Sequence, residues 1–163
     1  MEISLLAMDL DGTALLEDHK TFTPRLYAAL SAAARKGVAI VPTTGRQYAM
    51  LPPAVHTGAD WENLCVLCNG GEVRRLHTGE LLEVHYIEAD TAGQIVEIAA
   101  RMGLSVELSA GGLLYLTRES WDMQREHEDV LCFHLNNILT TRGRTVSALE
   151  EVLNQPELAL DKV

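Results

Sequence analysis

Lysine is scarce in this 163-residue chain, which carries only Lys20, Lys36 and Lys162. All basic residues together number 13 against 23 acidic ones, for a net charge of −10. The densest basic spots are Arg74-Arg75 and Arg142 to Arg144, and neither extends into a stripe. Such a surface repels phosphate backbones, so no nucleic-acid partner is expected. A small phosphorylated molecule stays compatible with it, provided its pocket is locally positive or holds a metal. Aromatic residues are also few, at 5%. Trp61 and Trp121, with no basic groove beside them, read as packing residues rather than base-stacking platforms. Three cysteines are an odd number with no disulfide framework, which points to a reducing cytoplasm. No apolar run approaches the roughly 20 residues of a membrane span, so no membrane association is expected. Met1-Glu2-Ile3-Ser4 lacks the basic flank and small-residue cleavage site of a signal peptide.

What is present is ordinary globular composition, 47% apolar and 22% charged. Ile3 to Met8 is a mostly apolar run broken by Asp9, the pattern of a strand buried on both faces. Thr23-Pro24 is an N-cap followed by proline at the first helical position, and Leu26, Ala29, Leu30 and Ala33 follow at helical spacing as far as Gly37. Val38 to Val41 predicts a second strand, ending at Pro42-Thr43-Thr44-Gly45. A short helix is expected from about Arg46 to a stop at Pro52-Pro53. Leu64 to Cys68 predicts a third strand closed by Asn69-Gly70-Gly71. This order implies a Rossmann-like α/β fold with a parallel sheet and right-handed crossovers.

After Gly71 the texture changes. Glu72 to Leu76 and Leu81 to Ile87 flank a turn and predict a hairpin. Thr91 to Gln94 resembles a capping box, with Ile95, Ile98, Ala99 and Met102 as one apolar helical face ended by Gly103. Strands are expected over 104–108 and 113–117, partly helical structure over 121–135, a helix on Val146, Leu149, Val152 and Leu153, and a strand opening at 158–163. The organisation expected is residues 1–71 as a Rossmann-like unit and residues 72–163 as a second α/β unit.

The chemistry concentrates in Asp9-Leu10-Asp11-Gly12-Thr13. An aspartate is a poor end to a buried strand unless its charge is used. Its carboxyl has an ordinary pKa of about 3.9, so at neutral pH it can attack an electrophile. If that electrophile is a phosphate, a cation must stand between the two anions, and Mg²⁺ with oxygen ligands meets the need. Asp11 could protonate a leaving oxygen and later activate water. Gly12 lets the loop turn tightly and offers its N–H to phosphate oxygens. Parallel α/β sheets bind ligands at the carboxyl ends of their strands, where this loop lies.

With that loop, the chain resembles the haloacid dehalogenase superfamily. Thr44-Gly45-Arg46 is similar to the superfamily's second motif, in which the Thr44 hydroxyl and the Gly45 amide would hold a phosphate oxygen. These motifs in order with Asn69-Gly70, followed by a hairpin, look like the Cof-type branch. That resemblance implies a sugar-phosphate or nucleotide-phosphate phosphatase with an α/β cap inserted after the third core strand. It makes Asp9 the nucleophile and a metal ligand, and Asp11 the acid/base with its carbonyl on the metal. Leu10, Gly12, Thr44 and Gly45 would surround the phosphate, with Arg46 and Asn69 near the substrate. Asp11 argues against a true dehalogenase, which has no leaving oxygen to protonate.

The resemblance also implies a lysine and a later acidic pair, and neither is found here in its expected place. The chain therefore looks like the front part of such an enzyme, an incomplete core followed by an incomplete cap. It is expected to expose the edge of its first strand and to self-associate, or to take a partner that completes the sheet. Two further functional readings follow: a catalytically silent fold remnant or interaction module, and a sugar-phosphate mutase. Among other candidate sites, Cys65-x-x-Cys68 on a strand would point its thiols to opposite faces, so both read as core residues. Cys132 reads as core too. Glu126 to Asp129 with His134 reads as a solvated acidic face rather than a metal cluster. His19 and His56 in loops, and His77 and His85 in the hairpin, show no ligand spacing.

Overall fold

The computed structural model describes residues 3–57, 61, 63–155 and 159–163, apart from the side chains of Phe133, Asn137 and Lys162. Met1 and Glu2, at the expected leaderless start, and Leu158, in the expected last strand, lie outside the described residues. The chain forms two compact units, residues 1–85 and 86–163.

In the first unit, β1 (Leu5–Asp9), β2 (Ala39–Thr43) and β3 (Cys65–Leu67) run parallel, with Leu5 beside Ala39 and Asp9 beside Thr43. Between β1 and β2 lies α1 (Pro24–Ala34), capped as its sequence predicts: the Thr23 hydroxyl accepts the Leu26 N–H at 3.1 Å. The helix after β2 differs from expectation. Residues 48–50 make one tight 3₁₀ turn, and Pro53 opens α2 (Pro53–His56) instead of stopping a helix. The reason is that proline costs nothing at a first helical position, where the N–H has no partner.

The hairpin β4 (Glu72–Arg74) and β5 (Leu81–Val84) pairs antiparallel with β3, so the sheet runs β1-β2-β3-β4-β5. The hairpin, grouped by sequence with the second unit, thus extends the first sheet. The tight Cys68 to Gly71 turn returns Glu72 directly beside Leu67. A core of Leu10, Leu30, Ile40, Val55, Trp61, Leu67 and Leu76 fills this unit. Trp61 packs on Phe22 and Tyr27, with ring centroids 5.8 and 6.3 Å away.

One expectation fails for a topological reason. β1 is not buried on both faces, because it is the edge strand: Ile3, Leu5 and Leu6 are 62%, 55% and 39% exposed. Only Met8, toward the carboxyl end, and Leu10 beyond it are buried.

The second unit begins with α3 (Ala89–Arg101), which starts two residues before Thr91 and has no side-chain cap. Its Ala92 and Val96 join the core, whereas Ile95, Ile98 and Met102 face outward. The mixed sheet β8-β7-β6-β9 follows, built from β6 (Leu108–Ala110), β7 (Leu113–Thr117), β8 (Gly143–Val146) and β9 (Leu160–Lys162). Between β7 and β8 come α4 (Arg118–Arg125), α5 (Glu128–His134) and, through residues 135–139, α6 (Thr140–Arg142). Then α7 (Glu150–Leu153) precedes β9. Val146, expected in the last helix, ends β8, because parallel pairing with Thr117 claims it. One cluster holds Ala92, Leu108, Leu149, Val152 and Leu160, another Leu114, Leu116, Leu135 and Leu139.

Residues 126–129 are exposed as expected, and His134 pairs with Glu107 at 2.6 Å. Cys65 and Cys68 are buried, but Cys132 is exposed, because helix α5 turns it away from the apolar face of Leu131 and Leu135. Among the described residues, no helix is long and apolar enough to cross a membrane.

Candidate active site

The three parallel strands end on the same side of the first sheet, which collects the motif residues there. Residues 10–14 form one wide turn, closed by the Leu15 N–H donating to the Leu10 carbonyl at 2.9 Å. Gly12 sits at φ +72°, a conformation that favours glycine. Leu10 is fully buried and anchors the loop, leaving the Asp9 carboxylate exposed. The Thr13 hydroxyl donates to Asp9 Oδ2 at 2.8 Å and so fixes that carboxylate within its own loop.

Asp9 lies beside Thr43 in register, which brings the next residue, Thr44, to the same end of the sheet. Thr44 is buried. Its N–H donates to the Val66 carbonyl at 3.0 Å, and its hydroxyl accepts the Arg46 N–H at 3.2 Å. This Thr-x-Arg turn holds the 44–46 loop open over the strand ends. The loop after β3 is stitched to it by two backbone bonds, Asn69 N–H to the Thr44 carbonyl (3.3 Å) and Cys68 N–H to the Arg46 carbonyl (3.1 Å). A Cβ added at Gly45 would stand 2.5 Å from Asn69 Oδ1, so glycine is what lets the Asn69 amide lie against this loop. Cys68 and Asn69 both take left-handed backbone, at φ 52° and 57°. Asparagine tolerates that well. Cysteine does so at a cost of about 1 kcal/mol or more, which the surrounding pairing sustains.

Arg46 is not a solvent-facing arginine, nor does it point at open space. Its Nε and NH2 donate to the two oxygens of Asp11 at 2.7 and 2.6 Å, a bidentate fork. NH1 donates to the Met50 carbonyl at 3.0 Å and NH2 also to the His19 carbonyl at 3.1 Å. His19 Nδ1 lies 2.9 Å from Asp11 Oδ1. The Arg46 hydrogen bonds, more than those of His19, hold the Asp11 carboxyl below its usual range, against an opposing effect of partial burial.

All the residues singled out from sequence therefore lie at one end of this sheet: Asp9, Leu10, Asp11 and Gly12 from the first loop, Thr44, Gly45 and Arg46 from the second, Asn69 from the third. Sequence reasoning did not assign roles to two further side chains. Thr13 stood inside the quoted motif, so its position carried a signal. His19 carried none, because only the fold brings a loop residue eight positions on back to Asp11. Lys20 and Lys36 pair with neither aspartate.

The site suits a hard cation in the kind of donor it offers. Asp9 presents an exposed carboxylate with the Thr13 hydroxyl beside it, oxygen donors of the kind Mg²⁺ takes, with water and substrate completing its shell.

The sequence profile of the haloacid dehalogenase-like hydrolases matches residues 6–157. A protein of Streptococcus pyogenes serotype M6 named as a candidate phosphatase is 27% identical over 137 residues, covering 80% of this chain and 49% of that protein. Two solved structures share the fold. A haloacid dehalogenase-like hydrolase from B. subtilis superposes with TM-score 0.69 at 19% identity, over 97% of this chain and 59% of its own. The phosphatase BT1666 from Bacteroides thetaiotaomicron does so with TM-score 0.72 at 22% identity, over 96% and 53%. This chain thus spans about half the length of the relatives it matches. The aspartate loop, the threonine loop beside it and the profile that covers both agree: the chain belongs to the haloacid dehalogenase-like hydrolase family.

Proposed function

We propose that this chain carries the phosphoryl-accepting half of a Mg²⁺-dependent phosphatase acting on a small phosphorylated metabolite. The observation that carries the reading is the exposed Asp9 carboxylate, fixed by Thr13 at the tip of β1, with the Thr44–Arg46 loop beside it. An Asp9 oxygen attacks phosphorus and the ester P–O bond breaks. The leaving oxygen takes a proton from Asp11, and Asp9 holds the phosphoryl group as an acyl phosphate. Water then attacks phosphorus, gives its proton to Asp11, and the Asp9–phosphorus linkage breaks to release phosphate. In this reading the Thr44 hydroxyl and the amides of Leu10, Gly12 and Gly45 donate to phosphate oxygens. Asn69 borders the substrate. Bound by the Asp9 carboxylate and the Asp11 carbonyl, Mg²⁺ would supply neutralisation of charge between two anions.

Arg46 bears on the two halves differently. Its fork favours the ionised form of Asp11, which is the form that accepts a proton from water. Donation to the leaving group needs that fork loosened. A reducing cytoplasm, where an exposed thiol such as that of Cys132 stays reduced, belongs to this reading.

One observation favours a second reading, a silent remnant or interaction module. The Asp9 carboxylate takes its side-chain hydrogen bond from the Thr13 hydroxyl rather than from a lysine. The two readings part in an assay of p-nitrophenyl phosphate hydrolysis with Mg²⁺ and with EDTA. Metal-dependent turnover that Asp9→Asn abolishes is the expected result. Turnover that survives Asp9→Asn rejects the acyl-phosphate mechanism, and no turnover at all favours the remnant.

A further inference from the structure

The geometry points to His19 as a positioning residue of this site, a clamp that holds Asp11 and Arg46 in one mutual arrangement. The hairpin-like loop that carries it is built rather than loose. Leu15 and Phe22 bridge across its base, and both are buried. Leu16 N–H donates to the Thr21 carbonyl at 2.9 Å. At its tip Asp18 accepts three hydrogen bonds, from the backbone N–H groups of Lys20 and Thr21 and from the Thr21 hydroxyl, at 2.8, 2.9 and 2.6 Å. These bonds force the residue between them, His19, into left-handed backbone at φ 55°, where glycine or asparagine would sit at lower cost.

That strained conformation delivers two contacts from one residue. The His19 carbonyl accepts from Arg46 NH2 at 3.1 Å, and its Nδ1 reaches Asp11 Oδ1 at 2.9 Å. Both Asp11 oxygens already accept from the Arg46 guanidinium, so the hydrogen in the His19 contact belongs on Nδ1. Each partner in the Asp11–Arg46 fork is thereby tied to the same residue. Without that tie the fork is held from the Arg46 side alone, by the Met50 carbonyl. Backbone strain kept at a site is a mark of function when the surrounding structure enforces it, as the Asp18 turn does here. The role is to hold Asp11 in the fork that serves the water-activating half of the reaction, so its effect belongs in turnover rather than in substrate binding.

The kinetic side of this assignment rests on the phosphatase reading, while the contact itself does not, and the test keeps the two apart. Three variants separate the imidazole from the turn. His19→Gly relieves the backbone and removes the donor. His19→Asn tolerates left-handed backbone and places an amide nitrogen where Nδ1 stands, one bond beyond Cγ. His19→Gln carries its amide one bond too far. In the p-nitrophenyl phosphate assay, His19→Gly and His19→Gln should lose kcat about 10- to 100-fold, with KM within about twofold, the range seen when a supporting hydrogen-bond partner is removed. His19→Asn should keep kcat within a few-fold. Wild-type kcat in all three variants overturns the assignment. Independently of turnover, long-range ¹⁵N–¹H spectra of the wild-type chain at about pH 8 should show the His19 ring protonated at Nδ1. A ring protonated at Nε2 alone overturns the contact, and with it the role. A wild-type chain with no turnover removes the phosphatase reading and leaves the spectra to decide the clamp.

Discussion

The Asp11–Arg46 pair is where a single residue has the most leverage. Arg46 is 13% exposed and Asp11 38%, so the fork is neither a surface ion pair nor fully withdrawn from water. Removing the guanidinium leaves two carbonyls and a carboxylate short of donors. Arg46→Ala should therefore destabilise the first unit by about 1–3 kcal/mol in urea unfolding at neutral pH. The pH dependence follows from the lowered Asp11 pKa. A group whose folded pKa is depressed contributes stability above its unfolded value, ordinarily 3.8, and loses it as the pH falls through the folded one. The gap between wild type and Arg46→Ala should accordingly narrow below about pH 4. Cys65 runs the other way. Burial pushes its thiol up from 9.0 to about 11, so it contributes stability below pH 9.0 that is lost as pH rises toward 11. In the native chain at neutral pH, a thiol reagent such as DTNB should react rapidly with the exposed Cys132 and slowly with the buried Cys65 and Cys68, and with all three after unfolding.

At the scale of elements, the site is a joint between three loops that leave the sheet at one end. The first is tied to the second through Arg46 and Asp11, the second to the third through backbone bonds and the Gly45–Asn69 contact. Gly45→Ala tests the latter joint. The atom its Cβ would meet is the far end of the Asn69 side chain, which can swing aside, so the stability cost should be small, under about 1 kcal/mol. What moves is the Asn69 amide, which borders the substrate in the proposed reading. The measurable consequence should be a raised KM with the unfolding midpoint nearly unchanged. A large loss of stability instead would mean that Asn69 is locked in place.

For the first unit as a whole, the open side of β1 dominates. Ile3, Leu5 and Leu6 are exposed along an edge strand that bears no lysine, proline or bulge within Leu5–Asp9, the devices that usually protect such edges. We therefore expect concentration-dependent association, or capture of a polypeptide that adds a strand there. Light scattering across a dilution series should show mass rising with concentration, and Leu5→Lys should suppress the rise. A monodisperse monomer at high concentration would reject this.

Much of the molecule was legible in its sequence because local rules decided it. The Thr23-Pro24 start of α1, the strand–loop punctuation at Asp9, Thr44 and Asn69, and the presence of a turn at Gly12 each depend on residues close in the chain. The family followed from the same short stretches. Tertiary structure alone decided the rest. The exposure of β1 depends on what lies beside it, so a run that reads as buried on both faces stands at an edge. The outward stripe of Ile95, Ile98 and Met102 reflects which face of α3 meets its own unit, not the helical period. His19 reaches Asp11 through a loop closed by contacts that no pattern within the chain announces. The physical reason is one of range. Dihedral preferences and capping act within a few residues, whereas burial and ion pairing depend on which distant segments come together.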